Sequence, residues 1–177
     1  MRRNYATFNG TRGFSLLEVL IAVIVLSIGI LGVAGLQVFS LRANQVSYVR
    51  SQAAILASDI SDRMRANRVA AANNNYALDP DAPPEVLEED PCADVSCDGP
   101  AMAARDLALW FERVTTMLPG GTARIFCSDA PCLPASLHTI SVMWDENRTD
   151  ADDPSCPDPE DYDPDEHLAC LTVSLQP

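Results

Sequence analysis

From residue 19 to residue 41 the chain carries no charged side chain, an interval of 23 positions. As an α-helix rising about 1.5 Å per residue, that interval covers about 35 Å, enough for a hydrocarbon core of about 30 Å. The segment can therefore span a membrane. Arg2, Arg3 and Arg12 precede it, so the short N-terminus is expected on the cytoplasmic side and everything after the span outside it. All six cysteines stand at or beyond Cys92, and export takes them to a compartment where disulfides form.

A chain of 177 residues allows one modest domain beside one long element. Its 12 basic residues are all arginine, and the absence of lysine removes Schiff-base and lysine-nucleophile chemistry. A net charge of −13 and a pI near 4.3 argue against nucleic acid as a partner, because phosphate backbones need a positive surface. The charge is uneven. Residues 79–177 hold 22 acids and four arginines, whereas residues 14–78 hold five arginines against Glu18, Asp59 and Asp62.

Glu18 lies at the entrance to the apolar run, in the stretch RGFSLLEVLIA over residues 12–22. A secretory signal peptide would carry its cleavage site after a shorter apolar core. Here the feature that looks like a processing site, Gly13, comes before the run, so cutting there leaves the helix on the mature chain with Phe14 at its start. This stretch resembles the class III prepilin signature of type IV pilins and type II secretion pseudopilins. The resemblance implies a prepilin peptidase that cuts after Gly13 and methylates the amine of Phe14. A carboxylate within a lipid-embedded helix costs at least about 2.5 kcal/mol, so Glu18 needs a partner. The resemblance supplies one in the terminal amine of a neighbouring subunit's Phe14. Such a buried pair acts as a register device, since a misplaced subunit leaves two bare charges in apolar surroundings. The plain alternative is a signal-anchor helix whose glutamate lies near the headgroups.

Gly29, Gly32 and Gly35 recur beside Ser27 and Ala34. Small residues let membrane helices approach closely, although ordinary tolerance of glycine in such helices explains them equally well. Beyond the run, Val46, Val49, Ala53, Leu56, Ile60 and Met64 keep a helical spacing, and no proline occurs before Pro80. The pattern predicts one continuous helix over residues 14–72, about 90 Å long. Asp59 and Arg63 are spaced i,i+4, and Arg63, Arg65 and Arg68 complement the C-terminal dipole. The stretches LSIGILGVAGLQ at 26–37 and DRMRANR at 62–68 resemble the PilV family of minor pilins more than a major pilin.

Asn73, Asn74 and Asn75 end the helix, and residues 79–91 read as an acidic, proline-bearing linker. A second helix is expected over 103–117, with Leu107, Trp110, Phe111 and Val114 on one face and Pro119, Gly120 and Gly121 stopping it. Runs 123–127, 139–144 and 168–175 predict strands. The fold class expected is α+β: a long N-terminal membrane-spanning helix packed on a small antiparallel sheet, as in pilins. The parts are a leader over 1–13, a transmembrane and assembly half of the helix over 14–41, an amphipathic half over 42–78, and an acidic, disulfide-stapled domain over 79–177.

Six cysteines allow fifteen pairings. Spacing favours the sequential set, Cys92–Cys97, Cys127–Cys132 and Cys156–Cys170, and the last would resemble the C-terminal disulfide loop of pilins. A zinc site from these thiols with His138 or His167 fits no usual ligand spacing. Residues 145–166 hold eleven acids and one arginine, which reads first as a solvated loop. Asp161, Asp163 and Asp165 stand in the first three ligand positions of an EF-hand loop, with Glu166 where glycine is needed, so calcium is the candidate cofactor of this run. No catalytic motif is present, and the two histidines are isolated.

The resemblance implies a structural subunit rather than an enzyme. It would be a minor pilin of the inner membrane, its C-terminal domain periplasmic, that later enters an extracellular pilus. Its expected partners are the prepilin peptidase, the inner-membrane assembly platform, other minor and major pilins, and a tip adhesin. The alternatives are a type II secretion minor pseudopilin, or a membrane-anchored acidic module that captures a cation or a basic partner. In cells with an active prepilin peptidase, mass spectrometry of the N-terminal peptide should find a chain that begins at Phe14 and carries one added methyl group. A chain that still begins at Met1 would overturn this expectation.

Overall fold

A computed structural model describes residues 13–177 except 86, 88–89, 91, 93–96, 134, 157–162 and 164–165. Three helices come first, α1 at Leu16–Ala66, α2 at Arg68–Ala72 and α3 at Gly99–Met117. Three strands follow, β1 at Thr122–Cys127, β2 at His138–Trp144 and β3 at Ala169–Leu175. The chain divides into two compact units, Met1–Asn44 and Gln45–Pro177.

In the second unit, α1 buries Ala53, Leu56, Ala57, Ile60 and Met64. This stripe recurs every three to four residues, the spacing that keeps one helical face toward a core. Val49 packs against the same core, half-buried. The expected continuous helix is interrupted at Asn67, whose backbone leaves helical geometry at φ −115° and ψ 55°. A tertiary contact accounts for the break. The Asn67 amide Nδ2 donates to the Gly99 carbonyl at 2.7 Å and to the Tyr76 hydroxyl at 3.3 Å. Asn73 caps α2, and Asn74 takes a left-handed conformation with φ 61°.

Helix α3 begins four residues before the expected start, because Asp98 caps it. The Asp98 carboxylate accepts from the Ala101 N–H at 2.9 Å, and Pro100 fills the first turn, where no N–H is needed. Leu107, Trp110 and Val114 are buried on one face. The helix ends in a tight turn at Gly120, with φ 57°. The next residue, Gly121, leaves no room for a side chain, since a Cβ there would run into the Val114 carbonyl.

The sheet is antiparallel in the order β1-β2-β3. Central β2 is buried except at Thr139. Ile125 opposes Ile140, and Ile140 opposes Val173, so the apolar faces of the three strands register. Leu78 extends the edge of β1 by exchanging both backbone hydrogen bonds with Ile125 at 2.9 Å. The linker expected over 79–91 begins directly after this pairing, with a turn at Asp79 and Ala82. The core joins α1, α3 and the inner face of the sheet: Leu56 and Ile60, Leu107 and Trp110, Ile125, Ile140 and Val142. Trp110 is fully buried, and its indole Nε1 donates to the Leu56 carbonyl of α1 at 2.8 Å. Burial of a ring this size needs such a partner for its single N–H.

A polar hub crosses the same interface. Asp106 occupies the buried face of α3, where its carboxylate accepts from Arg63 Nη1 of α1 at 2.8 Å and from the Tyr76 hydroxyl at 2.8 Å. Arg63 also reaches Asp59 at 3.3 Å, and Asp59 accepts from Arg113 of α3 at 2.7 Å. Burial, then the hydrogen bond to Asp106, raises the Tyr76 phenol well above its ordinary value. A raised folded pKa contributes stability that is complete below the phenol's unfolded pKa of about 10 and is lost as pH rises through the folded value. Tyr76→Phe should lower the unfolding free energy by about 1–3 kcal/mol near neutral pH, because a buried carboxylate oxygen loses its donor. It should also flatten the alkaline fall in melting temperature above about pH 10. Thermal denaturation of the full chain in detergent at both pH values checks the two effects.

Candidate functional site

Among the described residues, the first unit holds the N-terminal part of α1 and the three residues before it. Ser15 precedes the helix, and its carbonyl accepts from the Glu18 and Val19 N–H groups at 3.0 and 3.3 Å. Glu18 therefore falls in the first turn, where the positive end of the helix dipole favours a carboxylate. Phe14 is 83% exposed, and Leu17, Leu20, Ile24, Leu31 and Phe39 are exposed after it. All faces of this half are apolar and none is buried. α1 is the one helix among the described residues that is long and apolar enough to cross a membrane.

Such a surface far exceeds the few hundred Å² of contiguous apolar patch that a soluble monomer usually exposes. It needs lipid or the helices of other subunits around it. Gly29, Gly32 and Gly35 have nothing within 4 Å of where a Cβ would lie, so nothing within this chain demands glycine there. Ser27 turns its hydroxyl back to the Val23 carbonyl at 2.7 Å and so satisfies itself without water. The chemistry offered is one carboxylate at the head of a smooth apolar rod. A carboxylate so placed in an apolar medium is costly without a cationic partner at matching depth.

The other sequence-stated candidates lie in the second unit. The disulfides are Cys92–Cys97, Cys127–Cys132 and Cys156–Cys170, and no cysteine is free. Each cross-link restricts the unfolded chain. Cys127, Cys132 and His138 cluster closely enough to suggest a metal site. The two sulfurs are joined to each other, however, and only a thiolate is a metal ligand. His138 is 1% exposed, with Nε2 at 3.0 Å from the Ala71 carbonyl and 3.4 Å from Cys132 Sγ. It links β2 to α2, a structural position. His167 lies 3.6 Å from Asp153.

Of the calcium candidates, Asp161 and Asp165 lie outside the described residues. Asp163 forms a turn in which its N–H donates to His167 Nδ1 at 3.2 Å. The arginines near the end of α1 are engaged with acids: Arg63 with Asp59 and Asp106, and Arg65 with Asp62. Sequence reasoning missed the hub at Asp106. The signal was available, since Asp106 falls between Ala103 and Trp110 on the spacing of the apolar face of α3.

Residues 8–34 match the prokaryotic N-terminal methylation motif, and residues 35–108 match the family of the type IV pilin Tt1218. With the long apolar helix and the three-stranded antiparallel sheet, these matches make the chain similar to type IV pilins over residues 8–108. No curated protein and no solved structure matches the chain.

The core of the second unit is complete without residues 13–44. A chain that begins at Gln45 should therefore stay monomeric in detergent-free buffer with a cooperative melt, while the full chain should sediment unless detergent is present. Ultracentrifugation of both checks this, and aggregation of the shorter chain would contradict it.

Proposed function

We propose that the chain is a minor pilin of the PilV kind, a subunit that enters a type IV pilus through its N-terminal helix and helps to initiate pilus assembly. It is inserted in the inner membrane through residues 19–41, with its C-terminal domain on the periplasmic side, and passes from there into the extracellular pilus. Prepilin peptidase cuts after Gly13 and methylates Phe14. The observation that carries this reading is the exposed apolar half of α1 with Glu18 in its first turn. A tether needs only the length of this helix, whereas a register between subunits needs the charge.

Glu18 of an arriving subunit pairs with the Phe14 amine of its neighbour among the helices of minor and major pilins, on the assembly platform of the inner membrane. The acidic second unit, with four arginines against 22 acids over residues 79–177, suits contact with other tip components such as an adhesin. The resemblance to minor pilins over residues 26–37 and 62–68 supports the minor role.

Glu18→Ala in the native host tests the proposal. Loss of a buried charge partner costs about 3–5 kcal/mol. The variant should therefore be inserted and processed normally yet fall at least about 100-fold in sheared pili, with loss of the pili that depend on it. Normal incorporation and normal piliation would overturn the proposal and leave the helix as a tether. Loss of protein secretion with pili intact would assign the chain to a type II secretion system instead.

A further inference from the structure

The loop that leaves β2 carries a feature separate from the apolar helix. Asp145 follows Trp144, the last residue of β2, and is only 6% exposed. It is held from two sides. Its backbone N–H donates to the Pro119 carbonyl at 2.8 Å, and its Cβ would lie 3.2 Å from a Cβ on Gly120. Its carboxylate turns into the loop that follows, because Oδ2 accepts from the Asp150 N–H at 2.9 Å. The second oxygen, Oδ1, is buried with no hydrogen-bond partner among the described residues. Buried carboxylate oxygens are nearly always satisfied, and an orphaned one points to a water or an ion.

The residues after it carry oxygen at alternate positions, in the order Asp145, Asn147, Thr149, then the Ala151 carbonyl and Asp153. Arg148 and Asp150 have positive φ, 57° and 61°, and curl the chain back toward Asp145. A calcium loop of the EF-hand kind takes its oxygens from positions 1, 3, 5, 7 and 9, position 7 through its carbonyl, and makes its sharp turn at position 6. With Asp145 at position 1, the sharp turn falls on Asp150. Aspartate is among the few residues other than glycine that adopt this conformation readily. We propose that residues 145–153 form a calcium site anchored by the orphaned oxygen of Asp145, with Asn147, Thr149 and the Ala151 carbonyl as further ligands.

The neighbouring acids define the strength of the site. Glu146 is turned away to Arg50, at 2.9 Å. Asp153 accepts from the Ser155 N–H at 2.8 Å and lies beside His167, and it stands at position 9, which in such loops often reaches the ion through water. Position 12, where EF-hands place a bidentate glutamate, is Cys156, cross-linked to Cys170. One full carboxylate with neutral oxygens gives a dissociation constant on the order of 10⁻⁴ to 10⁻³ M, the range of extracellular calcium modules. An all-oxygen donor set selects calcium over zinc. The site is distinct from the acidic run at Asp161, Asp163 and Asp165. Bound calcium would fasten the loop between the end of β2 and the Cys156–Cys170 disulfide.

The test uses the full chain in detergent micelles and terbium luminescence excited through tryptophan, since Trp144 adjoins the loop. Calcium should displace the terbium with a midpoint in that range, in the wild type and in an Asp161→Asn, Asp163→Asn, Asp165→Asn triple variant. Asp145→Asn and Asn147→Ala should each weaken calcium at least tenfold. The Asn147 side chain is not part of the core, so that variant decides the matter if the Asp145 variant fails to fold. Absence of saturable displacement up to about 10 mM calcium, wild-type affinity in Asn147→Ala, or loss of binding in the triple variant would overturn the proposal.

Discussion

One helix in this protein must satisfy two solvents. Residues 16–44 of α1 present apolar side chains on every face, while residues 45–66 present a single buried stripe. An α-helix closes its backbone hydrogen bonds within itself, and this permits both halves to belong to one element. A strand could not do so, because its backbone groups need a neighbour at every step. The rest of the second unit is built on the stripe, with α3 and the inner face of the sheet completing its burial.

Packing of that stripe is non-directional, and polar contacts fix its register. The Trp110 indole reaches the Leu56 carbonyl, and Asp106 takes donors from Arg63 and Tyr76. A buried carboxylate with two donors at 2.8 Å tolerates little sliding of α3 along α1. The same neighbourhood breaks the helix, since Asn67 serves Gly99 and Tyr76 instead of continuing α1. Contacts by more exposed side chains, such as Arg50 with Glu146 and Arg65 with Asp62, add little to stability.

Much of the fold was legible in local patterns. The strands over 123–127, 139–144 and 168–175 lie within a residue of those observed, because alternation and bounding turns are local signals. The start of α3 was misplaced although Asp98 and Pro100 announce it, because the apolar periodicity begins only at Ala103. The break at Asn67 left no local trace: an asparagine within a helical pattern is unremarkable until its partners, Tyr76 and Gly99, are known. The acidic run over 145–166 read as a charge cluster centred on Asp161 to Asp165, whereas the buried, under-satisfied carboxylate is Asp145. Burial depends on what packs behind a residue, and Pro119 and Gly120 are 25 or more positions away.

The sequence alone determined that the chain carries a membrane-length apolar helix preceded by Gly13 and Phe14 and headed by a glutamate, and that an acidic, cysteine-bearing domain follows. These properties rest on composition and spacing along the chain, which folding does not alter. Tertiary structure decided where α1 stops, which acid becomes the hub of the second unit, and which carboxylate is left with an orphaned oxygen. Each of these depends on groups 9 to 43 positions apart, such as Asn67 with Tyr76 and Arg63 with Asp106. Only the folded chain sets the desolvation and hydrogen bonding of such groups.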